Sequence, residues 1–292
     1  MSKAAPKPRN APAEIAGHLS RITHQHFFRN FEDWLALAVN AFLRDDEAYM
    51  AIMRRYGLRE APMGDGRLQV GNGRPAQRDH PADHFARALG AWMRAMQAEP
   101  ADYLGRVYEE QAIANHYSGQ FFTPEPVVEL MAAMTMPDDL ADSALVHDPA
   151  CGSGRMLIAG IRRNRFATFV GVDTDLTCVH MATLNCLVRN ANCWLIHGNS
   201  LTYETWGGYY VRRTAFGGEL YRLSQDEAAR ILKLPFETKR ETSTALSPAG
   251  PVAQPLAPAP TVQEASPETT ATFDDLARQF TTNKRGQGDF GF

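Results

Sequence analysis

Apolar residues recur at helical spacing in the first part of the chain and predict three helices. The pattern becomes helical at about Ile15, Asn30 is predicted to be the N-cap of the first of these helices, and Gly57 ends its segment. The Gly- and Pro-rich residues 58–79 are predicted to form a long loop, and the other two helices begin at Pro81 and Asp102. The apolar stripe of the first helix comprises Phe31, Trp34, Leu35, Ala38, Phe42 and Leu43.

From residue 144 the pattern changes to short apolar runs that alternate with helical segments. Residues 144–147, 166–172 and 193–197 are predicted to be buried strands, with helices that begin at Arg155 and Asp175. A strand, a glycine-containing turn and a helix in this order open a Rossmann-like unit. The predicted fold class is therefore α/β, with a Rossmann-like sheet preceded by a helical N-terminal region. The sheet is predicted to be short, because few ordered-looking residues follow the third strand.

The last hundred residues are harder to interpret. Residues 206–211 are predicted to hold a strand and Ser224 to open a helix, whereas residues 241–270 are dense in Pro, Ala, Ser and Thr, as disordered linkers are. The predicted organisation is a disordered segment 1–14, a helical domain 15–115, a Rossmann-like domain 116–236, a disordered linker 237–271 and a C-terminal tail 272–292.

Composition narrows the functional classes only a little. The chain of 292 residues is 44% hydrophobic and 22% charged, with a net charge of −3, so no global basic field draws it toward nucleic acid. Nucleic-acid binding would need a local basic face or a separate partner. The chain has no signal-peptide pattern and no apolar run of membrane-spanning length, and a cytoplasmic protein is expected. Its four cysteines form no Cys-x-x-Cys pair, so a structural zinc site is not expected.

Three polar positions and a glycine turn predict a nucleoside pocket. Asp148 ends the first strand, and Gly152 and Gly154 lie in the turn after it, where glycine lets the backbone approach a ligand closely. Leu157 stands where the dinucleotide motif has its third glycine, which argues against NAD. Asp173 ends the second strand as a ribose acceptor, and Asn199 follows the third, where it can meet an adenine edge. Three coincidental strand ends are the alternative.

Three motifs in this order resemble the adenine-N6 DNA methyltransferases, and the modification subunit of type I restriction systems most of all. They are Asp-Tyr-Leu-Gly-Arg-Val-Tyr-Glu at 102–109, Gly-Gln-Phe-Phe-Thr-Pro at 119–124 and Asp-Pro-Ala-Cys-Gly-Ser-Gly at 148–154. The resemblance implies a class I methyltransferase sheet, S-adenosylmethionine as cofactor, DNA as partner and a restriction-modification role, with a specificity subunit or a partner chain that completes the site. The cofactor residues it implies are Phe122, Thr123, Pro124, Asp148, Pro149, Ala150, Cys151, Gly152, Ser153, Gly154, Asp173 and Asn199. Independently of the resemblance, Thr123 followed by Pro124 predicts a helix that Thr123 caps.

The resemblance breaks after the third strand. The family's catalytic Asn/Asp-Pro-Pro-aromatic tetrad is missing, since the sequence contains no Pro-Pro dipeptide. Phe216 can stack on a base, and Arg212 and Arg213 can touch phosphate, but an ordinary strand and turn is the simpler interpretation. Two hypotheses stay open, and the catalytic residues stay unassigned. One is an adenine-N6 methyltransferase with a degenerate or shared site, and the other is a non-catalytic module that binds the cofactor or regulates.

Overall fold

The computed structural model combines a helical N-terminal region with a five-stranded sheet. It describes residues 10–23, 25–57, 60–62, 68–70, 80–114 and 122–233. The helices in these ranges are α1 (Ala11–Ser20), α2 (Phe27–Leu43), α3 (Asp46–Arg55), α4 (Pro81–Ala98), α5 (Tyr103–Ala114), α6 (Glu125–Thr135), α7 (Arg155–Arg163), α8 (Leu176–Leu187) and α9 (Gln225–Leu232). The strands are β1 (Glu60–Pro62), β2 (Leu68–Val70), β3 (Leu145–Asp148), β4 (Thr168–Asp173), β5 (Asn192–Asn199), β6 (Glu204–Arg213) and β7 (Gly218–Leu223).

Helix α1 begins inside the segment that is predicted to be disordered. It starts at Ala11, where the Asn10 side chain accepts a hydrogen bond from a first-turn amide at 3.3 Å. Its Leu19 is fully buried, so packing holds the short helix in place. The prediction of disorder through residue 14 is therefore wrong for its last four residues, while residues 1–9 lie outside the described part of the chain.

Asn30 is not a helix cap. The second helix starts three residues earlier, at Phe27, and Asn30 is fully buried inside it. Its side-chain amide donates to the carbonyl oxygens of Ile22 at 2.8 Å and Leu19 at 3.1 Å. Those carbonyls belong to the end of α1 and the turn after it, so Asn30 joins two helices rather than opening one.

The segment boundaries around the predicted loop are partly confirmed. Gly57, with a φ of 83°, follows the last turn of α3, as a helix-ending glycine does. Two short antiparallel strands, β1 and β2, lie within residues 58–79, so the loop prediction is wrong there, and the rest of that range lies outside the described residues. The helices predicted at Pro81 and after Asp102 are confirmed as α4 and α5.

The five-stranded sheet has the order β3-β4-β5-β6-β7. The first three strands are parallel and are joined by the crossover helices α7 and α8, whereas β6 and β7 continue the sheet in antiparallel pairing. The α/β class and the strands predicted from residues 144 to 211 are confirmed. The sequence pattern does not predict strand β7, because the strand begins at the second of two adjacent glycines and its six residues carry no clear apolar alternation.

Helices cover both faces of this sheet. The buried residues of α2, α4 and α5 form one core with α8 and with Phe169 and Leu195 on one sheet face. Helix α9 packs on the other face against Val170, Val172 and Ile196. Every residue from Cys178 to Leu187 is buried, because α8 lies between the sheet and the N-terminal helices. The N-terminal helices thus support the crossover helix directly.

Within the described ranges, no helix combines the length and apolarity needed to cross a membrane. The predicted boundary near residue 115 falls within residues 115–121, which are outside those ranges, as are the predicted linker 237–271 and tail 272–292. The domain boundaries therefore remain predictions.

Candidate functional site

The glycine turn between β3 and α7 requires glycine at two positions. Gly152 and Gly154 have φ angles of 52° and 88°, in the left-handed region that other residues rarely adopt. A Cβ atom on Gly152 would lie 2.7 Å from the Phe122 ring, closer than side chains pack. The turn is held to the sheet by the Cys151 amide, which donates to Val172 O at 2.9 Å. The Phe-Thr-Pro segment and the glycine turn, predicted to form one site, are therefore in contact.

Three predicted polar residues lie at one edge of the sheet. Asp148, Asp173 and Asn199 are the last residues of three adjacent parallel strands. The Asp173 carboxylate accepts hydrogen bonds from the Gly152 amide at 2.8 Å and the Asp175 amide at 2.9 Å. Because each carboxylate oxygen has two lone pairs, Asp173 keeps acceptor capacity for a ligand hydroxyl.

The surroundings of Asp148 and Asp173 disfavour the ionised forms of both carboxyl groups. Burial raises the pKa of Asp148, and the nearby Asp173 raises it further, although the Ala150 amide opposes this by donating a hydrogen bond at 3.2 Å. Burial also raises the pKa of Asp173, against the hydrogen bonds from Asp175 and Gly152. A ligand that brings positive charge or hydroxyl donors to this edge would relieve the cost of holding two anions there.

The remaining predicted residues occupy varied positions. Pro149 and Ala150 are exposed in the turn, whereas Cys151 and Ser153 are buried. Burial raises the pKa of the Cys151 thiol well above its ordinary value, which leaves it an inert side chain. The prediction that Thr123 caps the next helix is wrong, because Pro124 is the N-cap of α6 and no side chain caps it.

Asn199 is engaged in a turn of its own. Its side-chain oxygen accepts hydrogen bonds from the amides of Leu201 at 2.9 Å and Thr202 at 3.2 Å. This turn presents Leu201 and Tyr203 to solvent, exposed by 88% and 56%. A hydrogen bond from adenine to Asn199 Oδ1 would therefore share this oxygen with the two backbone amides of the turn.

A buried polar network that the sequence did not predict supports the glycine turn. Its centre is Asp102, just before α5, which is 2% exposed. Its carboxylate accepts hydrogen bonds from Ser153 Oγ at 2.6 Å, Arg155 Nε at 2.7 Å and Asn185 Nδ2 at 2.9 Å. Asp102 also accepts from the Gly105 amide at 2.9 Å, so the start of α5, the glycine turn and α8 are fixed to one carboxylate.

Arg155 extends this network to the Phe-Thr-Pro segment. Its guanidinium donates to Glu109 Oε2 at 2.7 Å and to Thr123 O at 3.1 Å, and it lies 5.4 Å from the Phe122 ring centroid. Burial alone would lower the pKa of Arg155, but the bonds to Glu109 and Asp102 outweigh it and raise the pKa. Arg155 thereby connects the three motifs on which the resemblance depends.

The sequence signal for this network is the motif at residues 102–109. An acid just before a helix is ordinarily interpreted as an N-cap, and nothing in the spacing indicates that it also contacts Ser153, 51 residues later.

Phe216 and the two arginines before it lie away from this site. The β6–β7 turn follows Arg213, whose amide donates at 2.9 Å to Asn192, the first residue of β5. The turn is therefore at the edge where the parallel strands begin, opposite Asp173. Arg212 is paired with Glu219, and Arg213 lies 4.4 Å from the Phe166 ring centroid. The structure does not bring these side chains to the glycine turn.

Comparison with known families agrees with the geometry. Residues 99–216 match the family model described as N-6 DNA methylase. The match covers less than half of the chain and supports a relationship between this segment and the N6-adenine DNA methyltransferases. No curated protein gives a significant match to the chain. The methylase match includes the glycine turn, the three strand ends and the Asp102 network, whereas β7 and α9 lie beyond it.

Proposed function

We propose that the chain is an S-adenosylmethionine-dependent DNA adenine-N6 methyltransferase-like protein of the restriction-modification type, located in the cytoplasm. The observation that carries the proposal is the convergence of Asp148, Asp173 and Asn199 beside a left-handed glycine turn, within the matched methylase segment. The closer kinship to type I modification subunits is part of this proposal and rests on the motif resemblance alone.

The residues present fit this cofactor. Gly152 and Gly154 give the turn a left-handed backbone that lets main-chain groups approach a ligand closely, and Phe122 packs against Gly152. The carboxylates of Asp148 and Asp173, whose pKa values burial raises, suit a ligand with cationic groups and ribose hydroxyls. In the proposal Asp173 accepts from the ribose hydroxyls, and Asn199 meets the adenine edge.

The methionine part would lie among the glycine turn and the Phe122–Pro124 segment. When bound, the cofactor would supply an electrophilic methyl group. The protein's contribution is to orient it: the Arg155 bonds to Glu109 and Thr123 O hold the segment against the turn before any ligand arrives.

A second candidate is a non-catalytic module that binds the cofactor or regulates a modification system. The specific observation that favours it is the position of Phe216, at the sheet edge opposite Asp173. The aromatic residue that followed the predicted fourth strand is therefore not available to a base held near the glycine turn. The sequence also lacks a Pro-Pro dipeptide to present backbone acceptors to the target amine.

The experiment that separates the candidates is incubation of the full chain with methyl-labelled S-adenosylmethionine and DNA of varied sequence, alone and with extract of the producing cells. The enzyme hypothesis expects label on adenine N6 in at least one arm, and it expects Asp173→Ala to abolish it. Cofactor binding without label in any arm would refute the enzyme hypothesis and favour the module.

A further inference from the structure

A cavity of about 430 Å³ lies where the end of α4 meets the ends of α7 and α8. We call it the arginine cavity and define it by its three arginines, Arg162, Arg165 and Arg189, and by an apolar wall of Met96, Ile161 and Val188. Sites for small molecules commonly have volumes of about 300–1,000 Å³ and combine apolar walls with a few polar groups. The arginine cavity is therefore large enough for a small organic ligand.

The cavity lies away from the candidate cofactor edge. Strand β4 begins at Thr168, three residues after Arg165, and β5 begins at Asn192, three residues after Arg189. The arginines thus lie at the edge where the parallel strands begin, whereas Asp173 lies where β4 ends.

Two of the three arginines have no acidic partner. Arg162 is paired with Glu129 at 2.6 Å. Among the described residues, neither Arg165 nor Arg189 forms an ion pair with a carboxylate. The described lining of the cavity contains no acidic residue, since Glu99 beside the rim is exposed and not part of the wall. Two guanidinium charges therefore line a space without a countercharge.

Arg189 is the more constrained of these two side chains. Its Nη1 donates to Asn185 O at 2.7 Å, but its Nη2 is buried without a hydrogen-bond partner among the described residues. Burial lowers the pKa of Arg189 to about 10, and the charge of Arg162 contributes to the lowering. Asp102 acts in the opposite direction, but its carboxylate already accepts hydrogen bonds from other side chains. An oxyanion in the cavity would stabilise the Arg189 cation.

Capping of helix ends explains only part of this arrangement. Asn185 O belongs to the last turn of α8, whose end carries about half a negative charge, so one hydrogen bond from Arg189 caps it. That cap does not use the buried Nη2. Arg165 lies two residues beyond the end of α7, where Arg162 and Arg163 already occupy the last turn. A helix cap therefore does not account for Arg165.

The number of unpaired charges indicates the kind of anion. One guanidinium can satisfy a carboxylate in a bidentate pair. A phosphate monoester carries a charge of about −1.5 to −2 at pH 7 and three strong acceptor oxygens, which suits Arg165 and Arg189 together. Inorganic phosphate would leave the apolar wall without a partner, so the ester is expected to carry an apolar body.

We propose that the arginine cavity binds a small phosphate monoester. The phosphate is held by Arg165 and Arg189, and the apolar body of the ester packs on Met96, Ile161 and Val188. This inference goes beyond the proposed function and does not depend on it, because the two sites lie at opposite ends of the strands.

Calorimetric titration of the full chain with phenyl phosphate, in a buffer free of phosphate, tests the ligand class. We expect saturable binding of one molecule per chain, and at least tenfold weaker binding of inorganic phosphate and of benzoate. Benzoate that binds as tightly as phenyl phosphate would refute the preference for a phosphate. Inorganic phosphate that binds as tightly would refute the role of the apolar wall, and no saturable binding at millimolar phenyl phosphate would refute the site.

Substitutions of the arginines test the location. Arg189→Gln and Arg165→Gln are each expected to weaken binding of phenyl phosphate at least tenfold. Arg165 is exposed, so its variant stays informative if Arg189→Gln, which also loses the bond to Asn185 O, does not fold. Arg212→Gln is the matched control, because it removes the same charge from an exposed arginine that is paired with Glu219 outside the cavity.

The control is expected to bind phenyl phosphate as the wild type does, and the thermal stability of each variant without ligand checks its folding. Equal affinity in the wild type and in folded Arg165→Gln, or an equal loss in Arg212→Gln, would refute the location.

Asp173→Ala separates this site from the candidate cofactor edge. We expect this variant to bind phenyl phosphate as the wild type does, since Asp173 lies at the far end of β4 from Arg165. A loss as large as that in Arg165→Gln would place the probe at the cofactor edge and overturn the inference. A wild-type chain that binds phenyl phosphate but not S-adenosylmethionine would leave this site standing and remove the proposed function.

Discussion

Replacing Arg155 by leucine tests whether the buried network holds the candidate site together. Arg155 is 8% exposed, and its main partner Asp102 is 2% exposed. Leucine would leave the Asp102 carboxylate buried without its countercharge, and such a loss destabilises proteins by about 3–5 kcal/mol. Domains of this kind are stable by only about 5–15 kcal/mol, so the effect is large.

The matched control is Arg162→Leu on the same helix. Arg162 donates to Glu129 at 2.6 Å, but both side chains are about half exposed, at 50% and 52%. Exposed pairs contribute about 0–1 kcal/mol, so this variant is expected to unfold almost as the wild type does.

Urea unfolding followed by circular dichroism measures both variants. A third variant, Arg155→Leu/Asp102→Asn, removes the buried charge together with its partner and is expected to lose less stability than the sum of the single changes. The account of the network would be refuted if Arg155→Leu lost no more unfolding free energy than Arg162→Leu. It would also be refuted if the loss in the double variant equalled the sum of the losses from the single changes.

Three further predictions follow from single contacts. Gly152→Ala is expected to lower the free energy of unfolding by about 1–2 kcal/mol because of its left-handed backbone alone, and it must also displace the Phe122 ring. Adding Phe122→Ala to the same chain should recover part of this loss in urea unfolding. No recovery would argue against the contact between Gly152 and Phe122. Burial lowers the pKa of His180 to about 3, whereas the unfolded imidazole titrates near 6.5, so stability should be constant above that pH and fall as pH drops below it. His180→Gln, which can still bond Tyr209, should flatten that slope, and an unchanged slope would show that other groups cause it. Ser224→Ala should destabilise by about 1 kcal/mol through loss of the capping box of α9, and a change within error would show that this helix contributes little.

Local signals in the sequence were sufficient for much of the fold. Strand, glycine turn and helix follow one another over a few residues, so β3 to β5 and α7 could be predicted from local pattern, and so could the Ser224 cap. The positions of Asp173 and Asn199 could be predicted from the rule that parallel strands end at the same edge of a sheet. These predictions depend on contacts between residues that are close in sequence.

Several of the predictions that failed depend on contacts between distant residues. Asn30 is a residue type that commonly caps helices, but its side-chain amide donates hydrogen bonds to carbonyl oxygens 8 and 11 residues earlier. Asp102 is also such a residue type, yet its carboxylate accepts a hydrogen bond from Ser153, 51 residues later. Phe216 follows a strand as a catalytic aromatic residue would, but the antiparallel direction of β6 carries it to the wrong edge, and direction is not encoded in periodicity.

The pH dependence of ligand binding at the strand ends has a definite sign. The pKa values of Asp148 and Asp173 are raised by burial, so both carboxyls take up protons at a higher pH than ordinary aspartates do. A cationic, hydroxyl-bearing ligand needs the ionised forms, and its affinity should therefore fall as the pH drops through this raised range. Affinity that rises on acidification would contradict the assignment of these carboxylates.

Calorimetric titration of the full chain with S-adenosylmethionine tests the central claim, that the edge from Asp148 to Asn199 is a cofactor site. We expect saturable binding that weakens about 100-fold or more in Asp173→Ala, because hydrogen bonds to a charged group contribute about 1.5–3 kcal/mol each. Asp175→Ser is the matched control, since it removes a carboxylate two residues away and keeps a cap on α8. Binding by wild type and Asp175→Ser but not by folded Asp173→Ala is the predicted result. No heat of binding at millimolar cofactor, or equal affinity in all three proteins, would contradict it.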